Sequence, residues 1–199
     1  MKEYSYIVRL ILVVSCFALV ACEGIFIPDP IDPRIPKYTE TGNDVAGALI
    51  NDEIWESVRS FSFPNYTQVS TIHIWPEKDS LEVCFFGETN SRSACIGFHL
   101  TDLGIQSFND LKKLEGEKVS LDGEENLGYY FEDGVGGNQY GTGQVYFKQV
   151  LPKEDSGIIL SGTFGFTITN GAHKGMNVLY GRFDYYIDKD TEVIIGDAG

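Results

Sequence analysis

Two runs near the C-terminus decide the fold: Ser161-Gly-Thr-Phe-Gly-Phe-Thr-Ile168 and Asn177-Val-Leu-Tyr-Gly-Arg-Phe-Asp-Tyr-Tyr-Ile187. In the first, Gly162, Phe164, Phe166 and Ile168 alternate with Ser161, Thr163, Gly165 and Thr167. Successive side chains of a strand point to opposite faces, so this pattern describes one apolar and one polar face. In the second, the same alternation places Leu179, Gly181, Phe183, Tyr185 and Ile187 inward. Tyr180, Arg182, Asp184 and Tyr186 then face outward, where Arg182 and Asp184 read as a surface ion pair.

Outward from this pair, period-two stretches rich in aromatic and β-branched residues recur near 46–55, 70–75, 81–86, 94–100, 128–132 and 144–150. Strands in sequence joined by short turns predict an all-β fold. It is an antiparallel meander of about eight strands, forming a β-sandwich or a lipocalin-like barrel. One short helix is expected near 107–114, with Ser107 as its cap, Phe108, Leu111 and Leu114 on one face and Gly116 as its stop.

The 199 residues suit a single domain of ordinary size. Fifteen basic against 29 acidic residues give a net charge of −14, which argues against nucleic acid, since phosphate binding needs a basic footprint. The expected partners are a membrane, through an anchor, and a glycan or envelope protein, with the chain itself monomeric.

The anchor is read from the N-terminus. Lys2 and Arg9 precede an almost unbroken apolar run from Leu10 to Ala21, short of the roughly 20 residues that cross a bilayer. It ends Leu19-Val-Ala-Cys22, which looks like a bacterial lipobox. The expectation is cleavage before Cys22 and acylation of its sulfur. Residues 1–21 are then a lipoprotein signal peptide, and 22–44 are the lipidated Cys and a tether. Four of the seven prolines fall between Pro28 and Pro36, so the tether is expected to be extended and to add nothing to the fold. A single β domain spans 45–199. Glu23, rather than Asp, after the lipidated Cys points to the outer membrane.

Two stretches resemble a family of Bacteroidota lipoproteins catalogued only as a domain of unknown function. The first is Thr39-Glu-Thr-Gly-Asn-Asp-Val-Ala-Gly-Ala-Leu-Ile-Asn51-Asp-Glu-Ile-Trp55. The second combines Ser161-Gly-Thr-Phe-Gly-Phe-Thr167 with Gly181-Arg-Phe-Asp184. The chain departs from that pattern at Asp44, Ala46 and Asp52. The resemblance implies envelope anchoring and brings no activity with it. Physically, Gly42 and Asn51 read as turn residues, and Trp55 and Phe164 as core.

With Cys16 lost and Cys22 acylated, Cys84 and Cys95 remain to form a disulfide in an oxidising compartment. Set directly opposite each other across a hairpin, they pair Leu81 with Phe98, Val83 with Ile96 and Phe85 with Ala94 on one apolar face. A zinc site from His73, Cys84, Cys95 and His99 lacks a close Cys-x-x-Cys pair, so no metal and no cofactor is expected.

Standard catalytic signatures such as Gly-x-Ser-x-Gly or His-Glu-x-x-His do not occur. The Gly-rich stretch 133–143 precedes a strand pattern rather than a helix, so it reads as a hairpin loop and not a phosphate cradle. Asp188-Lys-Asp190-Thr-Glu192 reads as a solvated acidic tail, and Asp122-Gly-Glu-Glu125 as a turn. Asp79-Ser80-Leu81 makes Ser80 a candidate for O-glycosylation. Trp75, Tyr130, Tyr140, Tyr146 and Tyr186 are candidate ligand-contacting aromatics, against the background that sheets favour such residues for packing. The function read from all this is a non-enzymatic binding module for a glycan, a peptide or an envelope protein. A structural partner in an envelope complex is the alternative, and a hydrolase with a dispersed site a third reading.

Overall fold

The computed structural model describes residues 34–58, 60–63, 66–69, 71–132, 134–154 and 157–196. The signal segment, Cys22 and the first part of the Pro-rich stretch lie outside the described residues.

The chain forms a closed eight-stranded antiparallel β-barrel. Its staves follow one another in chain order: β1 (Val45–Ile50) and β2 (Glu53–Ser57), then β6 (Ser80–Glu88) and β7 (Ser93–Thr101). They continue through β9 (Leu127–Glu132), β10 (Gln139–Pro152), β11 (Gly157–Ile168) and β12 (Asn177–Asp188), which returns to pair with β1. Between β2 and β6 lie a separate hairpin, β3 (Ser60–Phe63) with β4 (Tyr66–Val69), and β5 (Thr71–Trp75), which pairs with β6. A short β8 (Lys118–Leu121) lies along β10, and β13 (Val193–Ile195) adds in parallel to β5.

Of the two architectures that the period-two pattern allows, the closed barrel is the one formed. An eight-stranded barrel is just wide enough for side chains or one small ligand, and here aromatic rings occupy the interior. Phe85 stacks on Phe183 at 5.2 Å between centroids, Phe98 meets Phe164 edge-on at 5.2 Å, and Phe147 meets Phe183 at 5.8 Å. One barrel end is capped by a 3-10 turn, Phe108–Leu114, whose Phe108, Leu111 and Leu114 are buried as expected. Ser107 does not cap it through its side chain. Its hydroxyl donates to Asp110 at 2.6 Å instead.

The barrel closes at a narrow seam. Among the described residues, Glu56↔Glu88 and Ser57↔Gly87 pair across β2 and β6, with Val58 N donating to Phe86 O at 2.8 Å just beyond, and the first pair sets two carboxylates side by side. Trp55 compensates. Its fully buried indole lies against Gly87, where a Cβ would come within 2.4 Å of the ring, and its N–H donates to Ala94 O on β7 at 3.1 Å.

Four expectations are corrected by this fold. The run 46–55 is a hairpin, because Asn51 adopts φ 48° and the chain reverses at Asn51-Asp52. On β12 the alternation breaks at Leu179-Tyr180, where the register shifts and Tyr180 takes φ 55°. Val178 therefore points inward, while Leu179 is 41% exposed. Asp188–Glu192 is not a tail: Asp188 Oδ1 accepts from Asp190 N and Thr191 N, and the turn leads into β13 with Glu192 buried. The domain also begins upstream of Val45. Ile35 is buried, and Ile35 and Pro36 lie over Gly47 of β1.

The disulfide joins Cys84 to Cys95 with Cα atoms 6.4 Å apart. The two are diagonal rather than opposed, since Cys84 pairs with Gly97 and Phe86 with Cys95. This slip by two residues from the expected register keeps every side chain on its face, which is why the apolar pattern is satisfied by either. The turn runs from Thr89 to Arg92, closed by Thr89 N donating to Arg92 O at 2.9 Å.

Trp55→Phe removes the seam hydrogen bond and leaves space over Gly87. The expected loss is about 2–3 kcal/mol, read as a Tm lower by roughly 6 °C in thermal unfolding. Cys84→Ser with Cys95→Ser opens a short covalent loop and should cost about 3 kcal/mol by the chain-entropy model, measured by denaturant unfolding.

Candidate functional site

The outer wall near the entry of the chain is organised by one carboxylate. Asp184 on β12 is 2% exposed and accepts five hydrogen bonds. The donors are Thr39 Oγ1, the backbone N–H groups of Thr41, Gly42 and Asn43, and Ser161 Oγ, the last at 2.7 Å. Ser161 stands directly across from Asp184 in the β11–β12 register, so the hairpin itself delivers that donor. Gly42 has φ 75°, a conformation glycine adopts without steric cost, and its N–H reaches Asp184 Oδ1 at 2.8 Å. The three motif segments named above, Thr39–Asn43, Ser161 and Asp184, thus meet at a single point. Asp184 and Arg182 are both buried, so neither is placed at the surface as expected.

Burial acts to raise the Asp184 pKa, but the bonds from Thr39, Ser161, Gly42 and Thr41 outweigh it and hold the carboxyl below its ordinary value. The same segment is held twice more. Lys148 pairs with Glu40 and lies 4.8 Å from the centre of the Tyr38 ring. These contacts are the reason that residues 34–44 belong to the domain rather than to a tether.

Beside this clamp lies an open cleft of about 640 Å³. Thr41, Gly42 and Asp44 form one wall, Pro152, Lys153 and Glu154 the other, with Ile159 and Tyr186 between them. Tyr186 is half-buried. Its ring rests on Gly157, where a Cβ would lie 2.3 Å from the phenol, and its backbone N–H donates to Asp44 Oδ1 at 3.1 Å.

The other candidate aromatics are scattered. Tyr130 is fully buried and faces inward, because the run Gly128-Tyr-Tyr-Phe carries no polar residue to mark its phase. Trp75 is half-buried between His73, at 5.1 Å, and His99, at 6.3 Å. Tyr140 packs against the disulfide with Tyr129, Phe86 and Phe131. Tyr146 lies 5.3 Å beneath the Lys118 ammonium. Ser80 is 3% exposed, held between β5 and β7, so its hydroxyl is not available for a glycan in the folded chain. Among the described residues no group of three or more His, Cys, Asp or Glu is placed to hold a metal.

A second polar cluster, invisible in the sequence, sits at the opposite barrel end. Glu132 accepts from Tyr130 Oη at 2.9 Å and from Arg92 Nη1 at 3.2 Å, and His173 Nε2 lies 3.1 Å from the same oxygen. His173 N donates to the buried Gln139 Oε1 at 2.6 Å, which ties the β11–β12 loop to β10. Tyr130 and Glu132 share β9, while Arg92, Gln139 and His173 are brought in by the neighbouring strands and loops.

A scan of the chain against protein-family models gives no match, and searches of curated proteins and of solved structures give none either.

Asp184→Asn replaces an acceptor by an amide whose N–H₂ faces donors. It should lower stability by about 3 kcal/mol or more, with a Tm drop near 10 °C. Because the folded pKa is lowered, the contribution of Asp184 is complete above the unfolded value of about 3.9 and is lost as pH falls through the folded value. Acid titration of stability should therefore be shallower in the variant below about pH 4. A chain beginning at Val45 should also melt at least several degrees lower than the full chain.

Proposed function

We propose that this protein is a lipoprotein of the cell envelope, anchored in the outer membrane by an acylated Cys22, and that its barrel is a non-enzymatic binding module. The observation that supports this reading best is the filled barrel. Where a lipocalin-type barrel holds its ligand, this one holds Phe85, Phe98, Phe147, Phe164 and Phe183. Recognition is thereby assigned to the outer wall, where the cleft beside Tyr186 is open. Anchoring rests on the ordered h-region and lipobox at residues 10–22. Acyl chains contribute about 0.8 kcal/mol per buried CH₂, enough in combination for stable attachment. The short stretch from Cys22 to Arg34 spans at most about 40 Å, which keeps the barrel close to the bilayer.

A role as an assembly partner is favoured by one separate observation. Edge strand β13 exposes Ile194 and Ile195, each 49% exposed, and an edge strand is a template for pairing with another chain. A hydrolytic reading would draw on Glu132 and His173, but Glu132 is already engaged by Tyr130 and Arg92, so binding is preferred.

Cys22→Ala should move the protein from the membrane to the soluble fraction on ultracentrifugation; retention in the membrane would refute anchoring through Cys22. Pull-down from solubilised membranes against a glycan array separates an assembly partner from a glycan binder.

A further inference from the structure

We infer that the cleft beside Tyr186 is a binding site for a neutral saccharide; this rests on the binding-module reading and names its site and ligand class. Three features of the cleft carry the inference together. First, an aromatic ring is presented at the surface by design of its surroundings. Gly157 beneath the Tyr186 ring and Gly42 beside its Cβ have no side chains to cover or displace it. A sugar ring has an apolar C–H face that packs on such a ring, and Ile159 and Pro152 add apolar lining.

Second, the polar groups are of both kinds. Glu154 offers an acceptor and Lys153 a donor across a cleft of about 640 Å³, which suits one or two sugar rings. A sugar hydroxyl both donates and accepts, so a ring of hydroxyls matches this mixture. A cationic side chain would also stack on Tyr186, but Lys153 opposes it, and a dianion would meet the carboxylates of Asp44 and Glu154.

Third, the wall is fixed before the ligand arrives. Thr41 and Gly42 are pinned by their N–H groups to Asp184, and Asp44 is tied to the Tyr186 backbone. On the other side, Lys153 N donates to Gly157 O at 2.9 Å, which ties the end of β10 to the start of β11. Preorganisation of this kind reduces the ordering cost of binding.

The test is NMR titration of the full chain in detergent micelles with maltose, cellobiose and N,N′-diacetylchitobiose, and with a triarginine peptide as the cationic arm. The expected result is that at least one disaccharide shifts the amide resonances of Gly42, Asp44 and Glu154. Tyr186→Ala should then weaken that binding about tenfold or more, while Tyr186→Phe retains it. Glu154→Gln, at an exposed position, should weaken it with no change in Tm. Lys174→Ala, exposed in the β11–β12 loop, should leave it unaltered. Disaccharide shifts that map to Trp75 instead would overturn the site while leaving a glycan-binding module standing. Shifts at the cleft by triarginine and by none of the sugars would overturn the ligand class. No response to any probe overturns the inference as a whole, and the broader reading is then decided by the membrane pull-down.

Discussion

One buried negative charge organises the outer wall of this barrel. A carboxylate removed from water is destabilised by several kcal/mol unless donors replace the solvent, and Asp184 recruits its donors from places remote in sequence. Ser161 comes from the neighbouring strand, and Thr39, Thr41, Gly42 and Asn43 come from the chain that enters the domain. Satisfying one carboxylate therefore fixes a whole segment, which then covers Gly47 with Ile35 and Pro36 and forms one side of the Tyr186 cleft. The fold boundary and the candidate site are consequences of the same interaction.

The barrel interior makes a complementary demand. Phe85, Phe98, Phe147, Phe164 and Phe183 pack ring on ring, and packing at crystal-like density leaves little freedom for a ligand among them. Residues without side chains make this possible at the seam, where Gly87 admits Trp55. The inside holds the staves together.

At the far end, Glu132 does on a smaller scale what Asp184 does at the entry. Burial acts to raise its pKa, and Tyr130 and Arg92 bring it below the ordinary value by donating to it. His173 approaches the same oxygen from the β11–β12 loop. Each carboxylate ties a non-strand segment to the barrel wall through hydrogen bonds or ion pairs.

Much of this was legible locally. The alternation over 161–168 assigns inward and outward faces correctly, because the two-residue period of a strand is a property of the strand alone. The same logic sorts the Cys84–Cys95 hairpin into faces, yet it cannot distinguish registers that differ by two residues, and the diagonal pairing was left to the geometry of the turn. Leu179 and Tyr130 fall outside its reach. The first sits at a bulge that resets the phase, and the second lies in a run with no polar marker. By itself, then, the sequence determined an all-β chain, its apolar faces and its turn residues. Tertiary structure decided that the sheet closes into a barrel, that residues 34–44 belong to it, and that Thr39, Ser161 and Asp184 meet. The physical reason is range: alternation and turn chemistry act over a few residues, whereas satisfying a buried charge and closing a barrel couple groups as far as 145 positions apart.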